Sequence, residues 1–71
     1  MERIEGDVKR FFKDHRYGFL IDDNDEMYFF REREWQVPIK PVRGLRVEFT
    51  PIEVDKGMRA IDIKRIYRKE K

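Results

Sequence analysis

The chain has 71 residues, 45% of them charged, and a formal net charge of +2. A chain of this size buries only about 60% of its unfolded surface, which leaves no room for a large enclosed catalytic cavity. With no Cys and one His, disulfides, thiolate-bound metals and a histidine cluster for zinc are excluded.

No apolar run approaches the roughly 20 residues of a membrane helix, and the opening MERIEGDVKR has no secretory apolar segment. The expectation is a soluble, cytoplasmic protein without a membrane partner. Charge is unevenly spread. Residues 1–35 hold seven Lys/Arg against ten Asp/Glu, a net of −3, while residues 36–71 hold ten against five, a net of +5. The second half therefore favours a local basic surface, extended by the tail KRIYRKEK.

In chain order, GDVKRFF, YGFLI, EMYFF, LRVEFTPIEV and MRAIDIKRI are short runs rich in Val, Ile, Phe and Tyr. Between them stand KDHR, DDNDE, the Pro-bearing QVPIKPVRG, and DKG. Five strands with turn punctuation predict an all-β fold, a small five-stranded antiparallel Greek-key barrel. The segment RERE is short enough for one helical turn before the Pro-broken stretch.

Strand period two then sorts side chains by face. In the fourth strand Leu45, Val47 and Phe49 point inward, opposite Arg46 and Glu48. In the fifth, Ile61 and Ile63 point inward, opposite Asp62 and Lys64. In the second, Tyr17 and Phe19 oppose Gly18 and Leu20. In the third, Met27 and Phe29 read as core, which leaves Tyr28 and Phe30 outside. The predicted outward set is Tyr17, Phe19, Tyr28 and Phe30, joined across a hairpin whose turn is DDNDE. A register shift of one residue exchanges every assignment in a strand.

Exposed rings flanked by Lys9, Arg10, Arg16 and Arg31 have the chemistry of a single-strand nucleic-acid platform. Bases stack on the rings, at about 1–3 kcal/mol each, and cations hold the phosphates. The competing reading packs these rings under the REREWQ loop or against a second copy of the chain.

Over residues 4–66 the sequence resembles the cold-shock domain family. Gly6-Asp7-Val8-Lys9-Arg10-Phe11 is similar to the family's Gly-x-Val-Lys-Trp-Phe, and His15-Arg16-Tyr17-Gly18-Phe19-Leu20 to its Lys-Gly-(Phe or Tyr)-Gly-Phe-Ile. Met27-Tyr28-Phe29-Phe30-Arg31 looks like Val-Phe-Val-His-Phe. Gly44, Val47 and Phe49 match the fourth strand, and Ala60-Ile61-Asp62-Ile63 resembles the family's Ala-x-Asn-Val. The resemblance implies an OB-fold barrel, a single domain over 1–66 with a basic tail at 67–71. It also implies single-stranded RNA or DNA as partner, with contacts from Lys9, Arg10, His15, Tyr17, Phe19, Tyr28, Phe30, Arg31 and Lys56.

The departures matter as much. Arg10 replaces a stacking Trp, Arg31 a Phe and Phe30 a His; a guanidinium plane can lie on a base and also reach phosphate. It can equally pair with a carboxylate and be lost to binding. Arg16 replaces a glycine that serves a positive φ. Trp35, in a loop without the usual glycines, either closes the barrel end or folds back as an extra stacking ring, and it completes the candidate set.

Other features carry less. His15 has no nucleophile or second base positioned beside it. DDNDE lacks the Asp-x-Asp-x-Asp-Gly spacing and distal Glu of a calcium loop. RYGFLI overlaps the RNA-recognition-motif signature, but no interval holds that fold's two helices. The sequence therefore predicts a non-enzymatic module without cofactor or metal, monomeric or dimeric through the ring patch. It binds single strands in the manner of a nucleic-acid chaperone, or else serves as a protein-interaction adaptor on the same barrel.

Overall fold

Each of the five apolar runs becomes a strand. The computed structural model describes residues 2–66, and the basic tail expected at 67–71 lies outside the described residues. The strands are β1 (Ile4–Phe12), β2 (Tyr17–Asp22), β3 (Met27–Arg31), β4 (Arg46–Val54) and β5 (Gly57–Arg65). RERE supplies a 3-10 turn, at Glu32–Glu34.

The strands close into a barrel in the order β1-β2-β3-β5-β4, with β4 returning to β1. Four pairings are antiparallel. The β3–β5 pairing is parallel, with Phe29 opposite Arg59. Closure removes the free sheet edges that a short open sheet would expose.

Two bulges break the simple alternation. In β1, Val8 pairs with Leu20 and Arg10 with Phe19, so Lys9 is an inserted residue and the strand bends there. In β5, Lys64 pairs with Glu48 and Ile61 with Thr50, so Asp62 and Ile63 together face Phe49. Asp62 takes a φ of 53°. Consequently Ala60 and Ile63 are buried, while Ile61, expected inward, is only half-buried. Arg3 fills this bulge, donating to the Asp62 carboxylate at 3.0 Å, the Asp62 carbonyl at 2.8 Å and the Thr50 hydroxyl at 3.1 Å.

The core is Val8, Leu20, Tyr28, Phe30, Val47, Phe49, Ala60 and Ile63, with Val37 from the loop after β3. Here the predicted faces of β3 are reversed. Tyr28 and Phe30 are 5% and 0% exposed, whereas Met27 is 41% exposed and Phe29 lies half-buried on the outer face. The cause is register: Leu20 pairs with Tyr28 and Gly18 with Phe30, and directly opposed residues share a face. Gly18 makes this fit. A Cβ there would strike the Arg10 carbonyl and come within 2.9 Å of the Phe30 ring. Phe30 also stacks between Phe11, at 6.0 Å and 13°, and Trp35, at 5.7 Å and 27°.

Candidate nucleic-acid interface

The register that buries Phe30 brings Phe19 opposite Phe29 and Tyr17 opposite Arg31 on the outside of the barrel. Beyond the Lys9 bulge, Arg10 pairs with Phe19 and Phe12 with Tyr17, so the end of β1 joins the same face. The result is a connected ring surface. Tyr17 lies 5.2 Å from Phe12, 6.1 Å from Phe19, 5.3 Å from Phe29 and 5.9 Å from His15. Phe19 and Phe29 are 5.9 Å apart.

Cations border these rings. The guanidinium of Arg10 lies 5.5 Å from the Phe12 centroid, that of Arg31 5.5 Å from Phe29, and that of Arg59 5.6 Å from Phe29. Among the described residues none of the three makes an ion pair. The buried Nε of Arg59 has no hydrogen-bond partner among the described residues. Beside Phe29 a groove of about 510 Å³ has Arg31, Lys56, Met58 and Arg59 in its walls, together with one carboxylate, Asp55, which places Lys56 next to the rings. Lys9 is exposed on the bulge.

The turn between β1 and β2 carries His15 and Arg16. Arg16 has a φ of 59°, the left-handed conformation that its substitution for glycine implies. Its N–H donates to the Phe12 carbonyl at 2.8 Å, and its carbonyl accepts from Glu32 N–H at 2.9 Å. These bonds hold the strained conformation in place. Its side chain is 81% exposed and only 3.8 Å from Glu32.

DDNDE is a hairpin turn, and it sets the register of β3. Asp22 accepts from the N–H groups of Asn24 at 2.8 Å and Glu26 at 2.9 Å, and from the Tyr28 hydroxyl at 2.8 Å. Burial raises the Asp22 pKa, but bonds from Glu26, Tyr28 and Asn24 outweigh it and hold the carboxyl below its ordinary 3.8. Burial, with the bond to Asp22 and its negative charge, pushes the Tyr28 hydroxyl up to about 12. Among the described residues no group of three or more His, Asp or Glu could hold a metal ion.

Of the sequence-predicted residues, Lys9, Arg10, His15, Tyr17, Phe19, Arg31 and Lys56 lie on or beside this surface. Tyr28 and Phe30 do not, because they point into the core. Trp35 also lies apart: it bridges to Ile63, donates its indole N–H to the Ile39 carbonyl at 2.8 Å and packs on Phe30, closing the barrel end. The face also contains Phe12, Phe29 and Arg59, which sequence reasoning did not assign to it. For Phe12 the signal was its position two residues after Arg10. For Arg59 nothing local marks it, since the parallel pairing brings it to Phe29.

No protein-family model matches the sequence, and no curated protein matches it. Among solved structures, drosophila Unr CSD456 superposes with a TM-score of 0.69 and 25% identity over 93% of this chain. The chain spans 27% of the length of that one, which contains Unr cold-shock domains 4 to 6. No helix among the described residues is long and apolar enough to cross a membrane. With its closed order β1-β2-β3-β5-β4 and this match, the chain has the OB-fold of a cold-shock domain.

Proposed function

We propose that the protein binds single-stranded RNA or DNA on the outer face of β1, β2 and β3. Unpaired bases stack on Phe12, Tyr17, Phe19 and Phe29, with His15 at the end of the row. Phosphates lie against Lys9, Arg10, Arg31, Lys56 and Arg59. The observation that carries this reading is one continuous ring surface whose bordering guanidinium groups make no ion pair among the described residues.

Three engaged rings supply several kcal/mol at about 1–3 kcal/mol per base, more than a few exposed charges contribute in salt. A duplex is the poorer ligand because its bases already stack on one another. Holding unstacked bases opposes RNA secondary structure, so the activity is that of a non-catalytic nucleic-acid chaperone. A chain without Cys suits a reducing cytoplasm.

Titration of labelled oligouridine or oligothymidine at low salt tests the reading. Saturable binding, with strandedness mattering more than base identity, is expected, together with its loss in the Phe19→Ala, Phe29→Ala double variant. No binding at tens of micromolar, or full binding by that variant, overturns it. A protein recovered from lysate even after nuclease treatment, with no oligonucleotide binding, would assign the rings to a protein interface instead.

A further inference from the structure

Building on the ring-face reading, we propose that the bound strand's phosphate backbone continues off the rings into a second, cation-lined groove between the β1 bulge and the loop 36–44. Two adjoining hollows of about 380 and 440 Å³ share Phe11 and Pro41 in their walls. Around them stand Lys9, Arg10, Lys13, Lys40 and Arg43, against a single carboxylate, Glu32. Among the described residues none of these five cations makes an ion pair.

The cations are held together by backbone structure. Gly44 N–H donates to the Val8 carbonyl at 2.8 Å, Val8 N–H to the Leu45 carbonyl at 2.9 Å, and Leu45 N–H to the Val42 carbonyl at 3.1 Å. These bonds pin Arg43 beside the bulge, and the inserted Lys9 leaves two successive cations exposed there. Arg10 also lies on Phe12, so it joins the groove to the ring face.

The occupant follows from charge and from the scarcity of rings. Phe11, the one aromatic ring in the walls of these hollows, is half-buried and stacks on Phe30, so the groove has a single part-used ring where the neighbouring face has four. Five cations facing one carboxylate suit a ligand with repeated negative charges, and one phosphate would leave most of them uncompensated. A phosphodiester backbone leaving the ring face meets both conditions.

The test compares an oligothymidine of about 4 nucleotides, enough for the rings, with one of about 12 nucleotides, long enough to reach beyond them. Wild type and the Lys40→Gln, Arg43→Gln double variant are titrated at several salt concentrations; both side chains are exposed, so folding is preserved. For the long strand the variant is expected to lose roughly tenfold in affinity, and its salt slope to fall by about 1.4, near 0.7 per phosphate contact. Short-strand affinity stays unchanged. An unchanged long-strand slope, or equal losses on both lengths, overturns the groove while leaving the ring face standing. Failure of wild type to bind either strand overturns the ring-face reading, and the groove with it.

Discussion

Arg10, Arg31 and Arg59 on the ring face lie 5.5 to 5.6 Å from ring centroids and make no ion pair among the described residues. On the side formed by β1, β4 and β5, Arg3 and Arg46 hold carboxylates at 3.0 to 3.5 Å. Arg46 gathers Glu5, Asp7 and Asp23, and these partners raise its pKa further. A guanidinium already satisfied by carboxylates has little to offer a phosphate. One resting on a ring keeps its donor edge free. Balanced composition therefore hides a division of labour: carboxylates pair with the arginines of one side, while among the described residues those on the rings of the other side make no ion pair.

The sharpest way to break this comparison is to cut within one strand. Phe30→Ala should cost about 3–5 kcal/mol of stability, the usual loss for a buried Phe, read as a lower denaturation midpoint. Its neighbour Phe29→Ala should instead weaken oligonucleotide binding by about 1–3 kcal/mol, the contribution of one stacked base, with a smaller loss of stability. Equal stability losses at both positions would contradict the assigned faces.

Removing the Tyr28 hydroxyl comes next. Tyr28→Phe leaves the Asp22 carboxylate without one of its donors and should cost about 1.5–3 kcal/mol, typical of a hydrogen bond to a charged group. The same pair sets two pH limits. The Asp22 pKa is lowered on folding, so its contribution is present above the ordinary carboxyl range and is lost as pH falls below about 3.8. The Tyr28 pKa is raised to about 12. Its contribution is full below the ordinary 10 and is lost as pH rises from 10 to 12. Tyr28→Phe should abolish the alkaline limit and weaken the acid one.

The two classes of arginine should separate in a paired measurement. Arg46→Ala is expected to cost about 1 kcal/mol of stability, at the upper end for a partly exposed ion-pair network, without changing oligonucleotide affinity. Arg31→Ala should leave stability within about 0.5 kcal/mol but make binding less salt-dependent. The smallest effect is expected at Arg16. Arg16→Gly relieves a left-handed conformation costing about 1–2 kcal/mol, offset by glycine's greater freedom in the unfolded chain, for a net gain of about 0.5 kcal/mol in thermal unfolding.

Much of the barrel was legible in the sequence. The five runs of Val, Ile, Phe and Tyr became strands within a residue or two of their expected limits, because apolar alternation and turn residues act locally. The outward facing of Tyr17 and Phe19 was readable for the same reason, with Gly18 and Leu20 buried between and after them. The left-handed Arg16 was foreshadowed by its place where a glycine resembles the norm.

The sequence by itself thus determined the strands, the barrel and a ring-bearing, cation-flanked β2. Tertiary structure alone decided which rings join that surface. Whether Phe29 or Phe30 faces outward depends on a single residue in the DDNDE turn. That count was settled by Asp22 binding Asn24, Glu26 and Tyr28, and by the packing of the Phe30 ring over Gly18. Tertiary structure also decided which arginines are paired, since the carboxylates that bind Arg3 and Arg46 come from strands and a turn distant in sequence. Alternation is a property of neighbours along a chain; register and charge pairing belong to neighbours across it.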